Sequence, residues 1–195
     1  MAERPIIFGT WAIPKLLDGS KTQTRRTRGL EKINAAPDEW FGTPENIEGA
    51  LWRFSNKDGT SLVVKCPYGV PGDQLWVREA WAENDRGQIL RKSGYEELIE
   101  LFELPDIGIK WRSPIHMFRS DSRIDLKITS IKAERVQEIT EEDARAEGVP
   151  LMHTEIEDID WYRPSFTKIW DSLDAKRYPF SLNPWEWPIT FELVK

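Results

Sequence analysis

The clearest periodic signal lies at the end of the chain, where Trp185, Trp187, Ile189, Phe191 and Leu193 alternate with Glu186, Thr190 and Glu192. Side chains on a strand point to opposite faces in turn, so this spacing predicts a half-buried strand with one polar face. Pro188 lacks the N–H that a ladder needs, which assigns the segment an edge or bulge position. A second alternation sets Ile124, Leu126 and Ile128 against Asp125, Lys127 and Thr129, and the slip of phase at Ser130-Ile131 predicts a β-bulge. In "PYGVPGDQLWVREAW" the turn signal Pro71-Gly72-Asp73 precedes a third alternation, Leu75, Val77 and Glu79 against Trp76, Arg78 and Ala80. Ile6, Ile7 and Phe8 make a short apolar strand candidate.

Helical signals are shorter. Trp11 to Leu17 reads as a short helix with Leu16 and Leu17 inward and Gly19 just past its end. Thr140 can cap a helix, with Asp143 three residues on, Ile139 placed to staple against Ala144, and Gly148 as the stop. Phe166, Ile169, Trp170 and Leu173 follow the i, i+3, i+4, i+7 rule and predict a second amphipathic helix. Residues 29–66 read as an insertion or a loose hairpin, with Trp52 to Phe54 and Leu62 to Val64 as strands about an Asp58-Gly59 turn. Residues 84–118 form a second variable region with one short helix near Tyr95 to Phe102. Several strands with a few short helices between them suggest a small α+β barrel.

Composition narrows the class. A chain of 195 residues with 39% apolar residues and ten tryptophans suits a single domain with a substantial core. It has no apolar run near the roughly 18 residues of a membrane span, and Met1 to Thr10 lacks the regions of a signal peptide. Cys66 stands alone, so no internal disulfide forms, which fits a reducing cytoplasm. The net charge of −6 argues against a general nucleic-acid coat protein while leaving room for a local basic patch.

Such a patch exists in "LLDGSKTQTRR", residues 16–26. In an ideal strand Lys21 and Thr24 would face opposite sides; they converge if Lys21 still belongs to the turn that Gly19 makes. A lysine beside a threonine hydroxyl is a workable base and nucleophile, because desolvation lowers the lysine pKa and frees the amine to accept the hydroxyl proton. A surface lysine near a helix end followed by β-favouring threonines fits the same letters. Glu147 falls in the last turn of its helix, where the dipole disfavours an anion, so it should be easier to protonate, as an acid–base group requires; a plain surface glutamate is the alternative. Arg25, Arg26 and Arg28 could hold phosphates or form a solvated turn. Trp76 beside Arg78 could stack a base and grip a phosphate, or belong to the core. His116, His153 and Cys66 lack metal-ligand spacing, so no metal and no cofactor is expected. There is no glycine-rich phosphate loop and no GxSxG elbow.

Four segments together resemble the phage and prophage members of the ASCH domain family. They are "ILDGxKTxTRR", "CPYGxPGDxLWVRE", "SPIHM…SRIxLxIT" and "NPWxWxIxF", which here span Leu16 to Arg26, Cys66 to Glu79, Ser113 to Thr129 and Asn183 to Phe191. The resemblance covers nearly the whole chain and implies one PUA-like β-barrel domain, 1–195, with short flanking helices and insertions at about 29–66 and 84–118. That architecture binds RNA or modified nucleobases. Small bacterial members include an amidohydrolase that removes the acetyl group of N4-acetylcytidine, and its lysine, threonine and glutamate match Lys21, Thr24 and Glu147. The resemblance therefore implies a hydrolase of an acylated nucleoside in the cytoplasm (the host's, for a phage protein). The alternatives, ranked after it, are a non-catalytic reader of RNA or a modified base, with Arg25, Arg26 and Arg78 on phosphate and a tryptophan as stacking platform, or an RNA-directed nuclease.

Overall fold

The computed structural model describes residues 1–94, 109–154, 159–174 and 176–194. In chain order the elements are β1 (Glu3–Ile7), a 3-10 turn (Thr10–Ala12), α1 (Ile13–Leu17), β2 (Gln23–Arg26), β3 (Trp40–Glu48), β4 (Leu51–Asn56), β5 (Ser61–Lys65), β6 (Gln74–Arg78), β7 (Trp81–Glu83) and β8 (Ile89–Arg91). Then come β9 (Asp125–Ile131), β10 (Glu134–Arg135), α2 (Glu141–Ala146), β11 (Met152–Thr154), β12 (Ile159–Trp161), α3 (Arg163–Asp174) and β13 (Trp185–Leu193). The class is α+β. The main sheet runs β1-β6-β9-β13-β10, with β2 also on β13, and curls strongly into a half-barrel. Among the described residues no helix is long and apolar enough to cross a membrane.

The alternating segments form strands where the pattern sets them. Leu75, Leu126, Ile128, Trp187 and Ile189 lie at the bottom of the main core. β1 lies parallel to β6, with Ile6 opposite Val77. The bulge sits where Thr190 pairs Ser130 and the next residue, Phe191, pairs Ile128, so Thr129 is the extra residue of β9.

Three expectations change. β13 is a central strand, paired with β2, β9 and β10, rather than an edge. Pro188 is tolerated because it falls where β13 exchanges β10 for β9, and its carbonyl accepts from Lys132 N at 3.1 Å in that gap. Nor is β13 half solvated: Glu186, read as surface, is fully buried. Within residues 29–66 the expected strands about Asp58-Gly59 form as β4 and β5, but the hairpin is not loose: β3 joins it in an antiparallel meander, and Leu30, Ile33 and Phe54 enter the core. Phe54 meets Trp185 edge-on at 5.3 Å and Trp52 meets Trp187 at 5.7 Å, contacts that add to the apolar burial docking the meander. In 84–118 the short hairpin β7-β8 accounts for the start of the region, and the helix expected near Tyr95 to Phe102 lies outside the described residues.

A second, smaller core of Val136, Ile139, Ala144, Val149, Phe166 and Trp170 packs α2 against α3. The predicted cap holds: Thr140 Oγ1 accepts from Asp143 N at 3.0 Å while Asp143 Oδ2 accepts from Thr140 N at 3.4 Å. Leu173, expected on the buried face of α3, is 71% exposed.

Candidate active site

The site begins with a turn. α1 is too short to continue past Asp18, and Gly19 takes a left-handed φ of 77° that reverses the chain. Asp18 Oδ1 then accepts from Ser20 N at 2.8 Å, and Lys15 O accepts from Lys21 N at 2.8 Å. β2 starts only at Gln23, which leaves Lys21 in the turn.

The same turn is fastened to the end of α2. Thr22 N donates to Ala146 O at 2.9 Å, and the Lys15 ammonium donates to Gly148 O. Gly148 stops the helix with φ 72°, and a Cβ there would lie 3.0 Å from Lys21 Cβ, so a side chain would collide with the lysine. Glu147, the last residue before that glycine, is thus set directly against Lys21.

Lys21 Nζ donates to Glu147 Oε2 at 2.6 Å, to Glu147 O at 2.7 Å and to Gln23 O at 2.8 Å. All three ammonium protons are placed, and the side chain is only 2% exposed. The ring centroids of Trp11 and Phe8 lie 5.6 and 5.8 Å from the nitrogen. Burial pushes the Lys21 pKa below the ordinary lysine value against the opposing pull of Glu147. Thr24 pairs with Ile189 across β2 and β13 and is 4% exposed. Its hydroxyl has no hydrogen-bond partner among the described residues. Lys21, Thr24 and Glu147 line one cleft of about 530 Å³ lying between the two cores, walled by Phe8, Trp11, Tyr68 and Phe166.

Behind them lies an acidic ring around Arg25. Its guanidinium, 1% exposed, has Glu186 at 2.9 Å, Glu134 at 3.0 Å, Asp143 at 3.4 Å and Glu147 at 3.5 Å. Burial opposes its charge, but the four carboxylates outweigh that and raise its pKa above the arginine norm. Glu186 approaches Arg25 Nε off the N–H axis, so neither of its oxygens has a hydrogen bond. Burial drives its pKa well above the usual carboxylate range, Arg25 pulling the other way.

Of the residues expected to act, Lys21 and Glu147 are in direct contact, and Thr24 lines the same cleft without a hydrogen bond to either. Arg25 lines the cleft but was expected on phosphate; its charge is instead committed to carboxylates, which is a correction. Arg26 does line the cleft, its Nη2 donating to Ile7 O at 2.7 Å. Trp76 and Arg78 lie outside the cleft lining: they stack on each other at 4.5 Å, with Trp76 8% exposed, so the guanidinium covers one face of the ring. Glu186 was missed because the alternation of β13 reads a polar residue as solvent-facing. Tyr68 went unmarked inside "CPYG", a segment whose turn is itself structural: a Cβ on Gly69 would lie 2.6 Å from Arg4 and Asp73, which clamp the start of the chain. Among the described residues no group of three or more His, Cys, Asp or Glu side chains could hold a metal ion. Comparison with protein-family models, with curated proteins and with solved structures returned no match.

Proposed function

We propose that this protein is an amidohydrolase of acylated nucleosides such as N4-acetylcytidine, built on a PUA-like barrel of the ASCH family. The observation that carries the reading is the buried Lys21–Glu147 pair at 2.6 Å in the same cleft wall as the unbonded hydroxyl of Thr24.

The chemistry requires a free amine on Lys21, whose pKa burial lowers, with the shared proton passed to Glu147 for the reaction. Lys21 takes the Thr24 proton as Oγ1 attacks the amide carbon. Glu147 gives its proton to the exocyclic nitrogen as the C–N bond breaks, releasing cytidine and leaving an acyl-threonine with the ion pair restored. Water then attacks the ester. Glu147 removes one of its protons, Lys21 returns one to Thr24 Oγ1, and acetic acid leaves, ionising to acetate in solvent. Every proton is accounted for within three side chains and one water, with no cofactor in any step.

A non-catalytic reader draws less support, because Arg25 is held by carboxylates and Trp76 is buried under Arg78. The test is direct: incubate the purified protein with N4-acetylcytidine and separate the products. Release of cytidine and acetate by the wild type, lost in Lys21→Ala, is the expected result. No cytidine above the Lys21→Ala background would remove the amidohydrolase reading.

A further inference from the structure

Several arginines are matched to a carboxylate: Arg4 to Asp73, Arg53 to Glu45, Arg119 to Glu3 and Asp125, Arg123 to Glu79. Two arginines at the lip of the cleft are not. Arg26 and Arg28 both line it, and neither has an ion pair with any carboxylate among the described residues. Glu31 feels the charge of Arg28, but its carboxylate accepts from Gly29 N at 3.1 Å and forms no ion pair with the guanidinium. Arg26 Nε is buried without any acceptor. Tyr68 stands with them in the lining, 8% exposed, its hydroxyl without a partner among the described residues. Both guanidinium groups act on that phenol, opposing the upward push that its burial gives. Apart from the Arg26 Nη2 bond to Ile7 O, no hydrogen bond or ion pair engages these two guanidinium groups and the phenol in the cleft lining among the described residues.

Their position relative to the reacting groups is fixed by one ring. Phe8 has the Arg26 guanidinium 5.0 Å from its centroid and the Lys21 ammonium 5.8 Å from it, so the donor corner begins one aromatic ring away from the amine. Arg28 extends it outward, four residues past Thr24. Unmatched guanidinium groups with a phenol suit a phosphate, which accepts several charge-assisted hydrogen bonds at once.

From this arrangement we infer that Arg26, Arg28 and Tyr68 form a phosphate subsite, so that the cleft takes nucleotides in preference to bare nucleosides. The inference rests on the nucleoside reading of the cleft, but it is tested by binding, without turnover. The shared chemistry is a nucleotide phosphate, borne by a free mononucleotide or by an RNA strand, and separate arms tell these apart.

The experiment is equilibrium binding of cytidine, cytidine 5′-monophosphate and a short cytidine-containing oligoribonucleotide to the full chain, followed by calorimetry at low and at moderate salt. The monophosphate should bind about tenfold or more tighter than cytidine, the worth of one or two charge-assisted hydrogen bonds. The preference should shrink with added salt and largely vanish in Arg28→Ala. That variant is safe for folding, because only the backbone carbonyl of Arg28 serves the core, accepting from Trp187 Nε1 at 3.1 Å. Tyr68→Phe, which keeps the ring, should lose part of the preference. A further gain for the oligonucleotide over the monophosphate assigns the subsite to a strand; equal affinity assigns it to the mononucleotide. Equal binding of cytidine and its monophosphate, a preference unchanged in Arg28→Ala, or no measurable binding of either would overturn the inference. Failure to hydrolyse any acylated nucleoside would sink the amidohydrolase reading and leave the binding comparison intact.

Discussion

Replacing Glu147 by Gln keeps the shape of the side chain and removes its charge, which isolates what the carboxylate does for Lys21. In the variant the ammonium still donates to Glu147's main-chain oxygen and to Gln23 O, but faces a neutral amide where Oε2 stood 2.6 Å away. Stranding one partner of a buried pair costs about 3–5 kcal/mol. The loss also has a ceiling. Lys21 can escape by shedding its proton, and for a lysine whose ordinary value is 10.5 that costs about 5 kcal/mol at pH 7. The expected deficit is therefore about 3–5 kcal/mol, a large part of the roughly 5–15 kcal/mol that holds a domain folded.

The ceiling gives the sign of the pH dependence. A lysine held below its ordinary value gains stability for the fold as pH rises towards 10.5, because the unfolded chain still takes up the proton that the folded chain refuses. The variant's amine lies lower than the wild type's, so its deficit should narrow as pH is raised from 7 to 9, by at most about 1.4 kcal/mol per unit. Lys21→Met should cost less than Glu147→Gln, since Arg25 remains 3.5 Å from Glu147 and the carboxylate keeps a cation. The double variant should recover most of the loss. Urea unfolding followed by fluorescence of the ten tryptophans measures all four proteins. Additive single losses to within about 0.5 kcal/mol, or a deficit that stays constant with pH, would refute the coupling argued from the structure.

Thr24→Ala should lower hydrolysis of N4-acetylcytidine by on the order of a thousandfold, while Thr24→Ser keeps measurable turnover. Because the hydroxyl has no partner among the described residues, Thr24→Ala should unfold within about 1 kcal/mol of the wild type. Glu186→Gln removes a carboxyl whose pKa burial drives well above the usual range. The wild type keeps the contribution of that protonated group below about 4.5 and loses up to about 1.4 kcal/mol per unit as pH rises towards the elevated folded value, so the two stabilities should diverge upward of pH 5; parallel curves would count against the buried position. Gly148→Ala, at φ 72° with its Cβ 3.0 Å from that of Lys21, should cost about 1–3 kcal/mol and depress turnover, as thermal melting and product release would report. Arg78→Ala should leave turnover within a factor of two, since Arg78 lies outside the cleft; a large loss would place substrate on the Trp76 face instead.

What the sequence made legible and what it hid both follow from how far a signal reaches. Period-two spacing located β9 and β13, and even the bulge near Thr129, because each is a property of a few neighbouring residues. It could not count buried faces, so Glu186 read as solvent-facing: the arginine beneath it comes from β2, and β2 reaches β13 only through tertiary pairing. β3 was lost because Gly42 and Pro44 interrupt its pattern just where its register shifts between Phe41 and Glu45. The candidate trio was matched through resemblance, whereas the residues alone left Lys21 and Glu147 open to a surface reading. Their pairing spans 126 positions and depends on a glycine stop and three bonds between two turns. Charge misled in the most instructive way. Arg25 and Arg26 are adjacent letters in one basic stretch, but neighbours on a strand face opposite ways, and one meets four carboxylates while the other meets none. Half of the basic surplus of residues 21–28 is thus cancelled within the fold, at Lys21 and Arg25, and what survives is the part that Arg26 and Arg28 present to the cleft. A net charge of −6 is no obstacle to such a patch, because an anion at the lip meets the uncancelled guanidinium groups at close range while the distant acids are screened by salt.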